Sequence, residues 1–337
     1  MHTKKRLTTF RKLCLFGTIL AFCVIVLGAY VRLSHAGLGC PDWPGCYGHL
    51  TAGQAAENQH AVNAAYPERP VEYEKALKEM LHRYLAATLG FVILVIGALA
   101  WRNRQDALQP VRMPLAVVAL VIFQGLLGMW TVTLLLKPAI VTAHLVGGLA
   151  TMSLLWWLSL DAHPATHAPA DQRLRKWSVA ALVVLCCQIL LGGWVSTNYS
   201  AIACPDFPTC QASFWPNMDF KDAFVLWRGL GIDYEGGVLD HPARVAIHFT
   251  HRIGAVVTAL VLAYVAWLAV RTGQSRAVRI AGAAVAAVVL AQWIVGPVMV
   301  LRTFPLWLAT AHNAVAAILL LSVVALLRFV FPPRRTA

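Results

Sequence analysis

The sequence predicts an all-α integral membrane protein, with eight transmembrane helices arranged as two pseudo-symmetric four-helix bundles in parallel orientation. Of its 337 residues, 59% are hydrophobic and only 13% are charged, whereas a soluble domain carries roughly 25% charged residues. Apolar stretches of about 20 residues, each long enough to cross a hydrocarbon core of about 30 Å, recur along the chain. The second half of the chain also repeats the motifs of the first half in the same order.

The eight predicted spans are apolar on all faces, which favours helices over the alternating strands of a membrane barrel. They cover 13–33, 82–101, 114–135, 140–160, 178–198, 245–270, 280–301 and 306–328. The first span follows the basic stretch "HTKKRLTTFRK" and so resembles a signal peptide. Its apolar run is too long for a signal peptide, so we expect a retained helix.

The charge distribution predicts the orientation of these spans. If both termini share one side, that side holds 17 of the 28 Lys and Arg residues but only 3 of the 15 Asp and Glu residues. This asymmetry follows the positive-inside rule and predicts cytoplasmic termini in a bacterial inner membrane. Because insertion accounts for the net charge of +13, the charge does not indicate a nucleic-acid partner.

The internal repeat is in register over the whole chain. "LGAYVRLSHAGLGCPDWPGC" at 27–46 matches "LGGWVSTNYSAIACPDFPTC" at 191–210, and "LHRYLAA" at 81–87 matches "THRIGAV" at 250–256. Gln124, Gly128 and His144 match Gln292, Gly296 and His312 with identical separations. We therefore predict a duplicated four-helix unit, with halves at 1–165 and 166–337. Because four is even, both copies share one orientation, as in parallel transporter repeats.

Two cysteine pairs, Cys40/Cys46 and Cys204/Cys210, follow the first and fifth spans on the predicted outer side. The compartment outside a bacterial inner membrane is oxidising, so we expect a disulfide within each loop. A metal site is disfavoured because Cys-x5-Cys is not a usual zinc spacing. Whether the pairs are structural or redox-active stays open.

Four histidines, His82, His144, His251 and His312, lie in the outer halves of predicted helices and in duplicated register. A single histidine near a helix end is usually an interfacial or hydrogen-bonded residue. Four in register, in a chain with little intramembrane charge, indicate function. Two histidines on facing helices suit bis-imidazole haem iron, and an apolar bundle suits the macrocycle. Zinc or copper would need further ligands that the spacing does not offer.

The residues beside the first histidine of each pair differ between the halves. Arg83 and Arg252 each follow that histidine and are candidates for pairing with haem propionates, or for reaching lipid headgroups. Glu79 lies three residues before His82 on the same helix face, and its counterpart is His248. A carboxyl group at one site and an imidazole at the other suggest different chemistry in the two halves.

The combination of these motifs resembles the haem A synthase family, in its bacterial form with paired loop cysteines, over nearly the whole chain. The matching features are the eight spans in two halves, the two Cys-x5-Cys loops, E-x-x-H-R at 79–83, x-T-H-R at 249–252, His144 and His312. The resemblance implies oxidation of the C8 methyl group of haem O to the formyl group of haem A, for cytochrome c oxidase assembly. It also implies a role in function or haem hand-over for Cys40 and Cys46.

The same resemblance implies a division of labour between the halves. It implies that haem b is bound by His251 and His312, that the substrate haem O is handled by His82 and His144, and that Glu79 is catalytic. The role of His248 is left open.

Two other functions fit the sequence less well. A di-haem membrane cytochrome would transfer electrons without modifying haem, but it gives no reason for the halves to differ at Glu79. A transporter would show broken helices, which the spans lack.

The expected partners are lipid, haem O synthase and an unidentified electron partner, since no flavin or nicotinamide motif is present; a homo-oligomer is left open. We also predict a short helix around 71–81, within the loop 47–81.

Overall fold

The computed structural model describes residues 2–160 and 171–331, with side chains from residue 6 onward. The predicted boundary between the halves, at 165/166, lies outside the described residues. Within them the chain is helical and forms no β-strand beyond two isolated bridges, Cys46 to His49 and Cys210 to Ser213.

Eleven α-helices form the described part of the chain. They are α1 His2–Leu33, α2 Ala52–Glu57, α3 Gln59–Ala65, α4 Tyr73–Arg102, α5 Arg112–Thr133, α6 Pro138–Ser159, α7 Gln172–Thr197, α8 Phe220–Ala223, α9 His241–Thr272, α10 Arg276–Leu301 and α11 Leu306–Val330. All but α2, α3 and α8 are long and apolar enough to cross a membrane. The prediction of an all-α, multi-span membrane protein is confirmed.

The helix ends follow local sequence signals. Asp171 and Ser275 cap α7 and α10 by accepting hydrogen bonds from Arg173 N and Val278 N. Pro138 occupies the first turn of α6, where its missing N–H removes no intrahelical bond.

One prediction about the outer loop is wrong. The helix expected around 71–81 is not a separate element but the start of α4, while the loop itself contains α2 and α3. From Tyr73 to Leu89 no Gly or Pro interrupts the strong helix formers, so the wet segment runs on into the apolar span. As a result, His82 lies in the third turn of α4 and His251 in the third turn of α9, not at helix starts.

Backbone conformations support the duplication independently of the sequence alignment. Left-handed φ angles, which are uncommon outside glycine, occur at equivalent positions in both halves. The pairs are His35 (53°) with Tyr199 (53°), Tyr47 (56°) with Gln211 (57°), Leu135 (50°) with Thr303 (59°), and Leu136 (60°) with Phe304 (57°). The turns that set helix directions are therefore the same in the two copies.

The long helices contact each other in a repeated pattern. In the first half α1 packs against α4 and α6, and α5 packs against the same two helices. In the second half α7 and α10 both pack against α9 and α11. Between the halves, α1 contacts α11, α6 contacts α7, and α6 contacts α11. These are the contacts that two parallel four-helix bundles would make, and the division into bundles stays our prediction.

The loops predicted to face the outer side are joined between the two halves. Arg69 forms ion pairs with Asp233 (2.6 Å) and Glu235 (2.9 Å). The buried Lys137 donates to the carbonyl oxygens of Arg228 (2.6 Å) and Gly229 (3.0 Å). The outer segment of the second half thus covers part of the first half.

Candidate functional site

The first histidine of each pair lies directly over a glycine of a neighbouring helix. A Cβ atom added to Gly28 of α1 would lie 2.8 Å from His82 Cε1, and one added to Gly192 of α7 would lie 3.1 Å from His251 Cε1. Both values are shorter than ordinary van der Waals contact. The glycines therefore allow the imidazole rings to approach the helix backbone closely.

The second histidine of each pair repeats this arrangement more loosely. A Cβ at Gly128 would lie 3.6 Å from His144 Cε1, and a Cβ at Gly296 would lie 3.6 Å from His312 Cε1. The duplicated Gly and His positions in the sequence are thus duplicated ring-over-glycine contacts in space.

His82 and His144 line one cavity of about 780 Å³, whose walls come mainly from α1, α4, α5 and α6. This volume lies in the range of about 300–1,000 Å³ typical of small-molecule sites. The lining also includes Phe91 of α4, which is 68% exposed, and Ile122 of α5, which is 59% exposed. Because both lie in membrane-spanning helices, we expect the cavity to open sideways toward lipid between α4 and α5.

The first cysteine loop forms the outer end of this cavity. Trp43 and Pro44 of the loop line it, together with Glu79 and Arg83. Both predicted disulfides are confirmed, with Cα–Cα distances of 4.8 Å for Cys40–Cys46 and 4.7 Å for Cys204–Cys210.

An aspartate within each loop fixes the turn that follows the disulfide. Asp42 accepts hydrogen bonds from Tyr47 N (2.5 Å) and Gly48 N (2.8 Å). Asp206 accepts the equivalent bonds from Gln211 N (2.6 Å) and Ala212 N (2.9 Å). A further hydrogen bond from the Thr209 hydroxyl, together with these backbone bonds, lowers the pKa of the Asp206 carboxyl.

We expect both disulfides in the mature protein isolated without reductant, because each pair is already at bonding distance. Mass spectrometry of non-reduced peptides should give one cross-linked peptide for each loop. The membrane-embedded Cys23, Cys186 and Cys187, which are unpaired, should be alkylated and serve as the internal control. Free thiols at all four loop cysteines would contradict this prediction.

Glu79 and Arg83 hold this loop onto α4. Glu79 Oε1 lies 2.5 Å from Arg83 Nη2, and Glu79 Oε2 accepts a hydrogen bond from Cys40 N at 2.9 Å. Arg83 also donates to the carbonyl oxygens of Asp42 (2.9 Å), Pro44 (3.3 Å) and Gly45. The guanidinium thus binds the loop and Glu79, while both side chains still line the cavity.

The second half has a related arrangement with a different partner. Arg252 donates to the carbonyl oxygens of Thr209 (2.7 Å) and Cys204 (2.9 Å). Arg252 Nε also lies 3.3 Å from Nε2 of the buried His248. His248 therefore takes the place of Glu79 beside the arginine, without forming an ion pair.

Two glutamines contact the histidines of the second half. Gln188 Nε2 lies 3.1 Å from His251 Nδ1 and donates to the His251 carbonyl at 3.0 Å, and Gln292 Nε2 lies 3.1 Å from His312 Nε2. Our sequence reasoning assigned neither a site role. Gln292 belongs to the repeated Gln-Gly-His motif, and that repetition could have indicated a site role. Gln188 aligns with Val24, so the repeat does not indicate a role for it.

The two imidazoles of each half suit a metal that is already held by a macrocycle and needs only two further ligands. No group of three or more His, Cys, Asp or Glu side chains able to hold a bare metal ion occurs in the part of the chain that the structure describes. His82 and His144 line the same cavity, and His251 and His312 lie over Gly192 and Gly296. Each half thus offers two imidazoles, the axial set of a bis-imidazole haem.

Gly28→Ala is expected to displace the His82 ring and to weaken haem binding in the first half by more than about tenfold. The helix itself should tolerate alanine, which favours helix by about 1 kcal/mol over glycine. Gly17→Ala is the matched control on α1, since its nearest atom would lie 3.4 Å away. Titration with added haem, monitored by absorption spectroscopy, compares the haem affinities of the two variants. Equal affinities would show that the close contact with His82 is unimportant.

The fold and the site define a multi-pass helical membrane protein with two pairs of half-buried imidazoles near two disulfide-bonded loops. A family model described as cytochrome oxidase assembly protein (COX15-CtaA) matches residues 11–324, and the chain belongs to this family.

Similar proteins include three bacterial relatives, each named Heme A synthase. The protein from Shewanella oneidensis is 42% identical over 329 residues, covering 97% of each chain. Those from Caulobacter vibrioides (29% identical, 89% of this chain and 90% of the relative) and Halalkalibacterium halodurans (26%, 92% and 94%) are more distant. The resemblance drawn from the sequence motifs is confirmed.

Proposed function

We propose that this protein is a haem A synthase, which oxidises the C8 methyl group of haem O to a formyl group for cytochrome c oxidase assembly. The single observation that supports this best is the pair His82 and His144 in a lipid-open apolar cavity of about 780 Å³, in a chain of this family. Haem O is largely apolar, so a substrate site that opens within the bilayer can receive it sideways.

The two halves take different roles in this proposal. His82 and His144 handle haem O, whereas His251 and His312 hold a resident haem b. The second pair fits such a group because its imidazoles are half-buried and Gly192 and Gly296 lie beneath the rings. Bound haem b would supply one-electron chemistry at this site. Gln188 and Gln292 would orient its imidazole ligands.

Glu79 is the proposed catalytic group. Its carboxyl group lines the outer end of the cavity one helical turn from His82, held by Cys40 N and Arg83. There it can stabilise positive charge that develops at the methyl carbon, or accept protons during the two oxidation steps. His248, its counterpart, offers no carboxylate at the haem b site.

The orientation and the partners belong to the same proposal. Both termini are cytoplasmic, the disulfide loops face the oxidising side of the inner membrane, haem O synthase supplies the substrate, and a separate protein or quinone exchanges electrons. The alternative, a di-haem cytochrome that only transfers electrons, would bind haem without changing it.

Pigment extraction separates these functions. The protein is purified from cells with and without co-expressed haem O synthase, and its haems are identified by chromatography and mass spectrometry. A haem A synthase yields haem A only when haem O is supplied. Haem content that stays unmodified under both conditions would support the electron-transfer cytochrome instead.

A further inference from the structure

A second arginine lines the cavity of the first half, and the sequence analysis gave it no role. Arg32 lies in the last turn of α1, one turn beyond Gly28 in the direction of the outer loops. Its counterpart in the repeat is Ser196, so the charge exists in one half only. The cavity wall at this point is shared with α7, because Gly192 and Ser196 also line it.

The contacts of Arg32 leave its charge without a counter-ion. Nη2 donates to the Ser196 carbonyl at 2.8 Å, and the guanidinium carbon lies 4.1 Å from the centre of the Tyr199 ring. Nε is buried without a hydrogen-bond partner. No carboxylate within residues 2–160 and 171–331 lies within 4.0 Å of this guanidinium, and the nearby Glu235 is bound to Arg69 at 2.9 Å.

The other arginine of this cavity is in the opposite situation. Arg83 is paired with Glu79 and donates to the loop carbonyls. A buried charge is costly unless it is paired and hydrogen-bonded. Arg32 is therefore the cavity cation that lacks an anion, and a carboxylate is the partner that a guanidinium fits best.

We propose that Arg32 binds a propionate carboxylate of the substrate macrocycle and so sets its orientation in the first half. The inference rests on the proposed function, because it takes haem O as the occupant of this cavity. Binding at Arg32 turns the carboxylate edge toward the outer end of α1 and the boundary with α7. Because one propionate and the C8 methyl group are substituents of the same pyrrole ring, the reacting carbon then also lies toward the outer end of the cavity, where Glu79 is.

Protohaem and its dimethyl ester test this proposal, because the ester removes the carboxylates but keeps the macrocycle. Each is titrated into the purified full-length protein with its resident haem b, and binding is followed by difference absorption. The wild type should bind the free acid at least roughly tenfold more tightly than the ester. The variant Arg32→Gln should lose this preference, because its affinity for the free acid falls while its affinity for the ester stays the same. Arg32→Lys should retain part of the preference for the free acid.

Arg302→Gln is the matched control, since it removes one positive charge from the exposed outer end of α10 and should leave the preference unchanged. Haem b content reports folding in every variant. If Arg32→Gln keeps the full acid preference, or weakens acid and ester equally, Arg32 does not bind the carboxylate, while the proposed function stands. If the wild type takes up no second haem, the cavity is not a haem site, and both proposals fail.

Discussion

Glu79→Gln is expected to abolish haem A formation while haem b and bound haem O remain in the protein. The amide keeps the size of the side chain and an oxygen that can accept the hydrogen bond from Cys40 N, but it removes the negative charge. General acid–base catalysis typically contributes about 10²–10⁴-fold, so conversion should fall by that factor or stop at the alcohol stage. Extracted haems, quantified per protein, measure the effect.

The contacts of Glu79 make a structural role the competing explanation. Its pairing with Arg83 and the loop could serve only to hold the disulfide loop on α4. In that case Glu79→Gln would lower the protein yield with near-normal conversion per folded molecule. Glu74→Gln, at an exposed position on the same helix, controls for the charge change and should leave conversion intact. Near-normal haem A formation by Glu79→Gln would rule out the catalytic role.

His251→Ala or His312→Ala should each remove the low-spin bis-imidazole spectrum of the protein as isolated. An alanine leaves one side of the iron without its axial ligand, and only two imidazoles serve each site. His82→Ala and His144→Ala are the matched controls, because the same change in the first half should leave the haem b spectrum in place. An intact spectrum in both His251→Ala and His312→Ala would refute the assignment of haem b to the second half.

Hydropathy and the repeat were sufficient to predict the membrane spans and the disulfides. Each span is a long apolar run. Each Cys-x5-Cys pair lies in one short loop on the predicted oxidising side, so its two cysteines are expected to bond to each other. The start of α4 was missed because the segment from Tyr73 to Leu81 is polar enough to read as a loop helix. Hydropathy predicts only the part of a helix that lies in lipid. A helix made of residues with high helix propensity can extend beyond that part into water, as α4 does.

Contacts between helices explain what the sequence could not predict. The closeness of Gly28 to His82 depends on how α1 crosses α4, and the repeat indicated only that both residues matter. Gln188 and Arg32 occupy positions where the halves differ, so the repeat offered no signal for either. With Glu79 and His248, these positions show that the halves differ beside the histidines, as expected if one site reacts and the other holds a cofactor.

The ratio of haem A to haem b in His82→Ala, co-expressed with haem O synthase, tests the division between the halves most directly. Haems are extracted from the purified variant and from the wild type and quantified together. The account predicts haem b at the wild-type level and no haem A, because the substrate site has lost a ligand while the second half is untouched. Haem A at the wild-type ratio to haem b would contradict it, since the oxidation would then not depend on the first half.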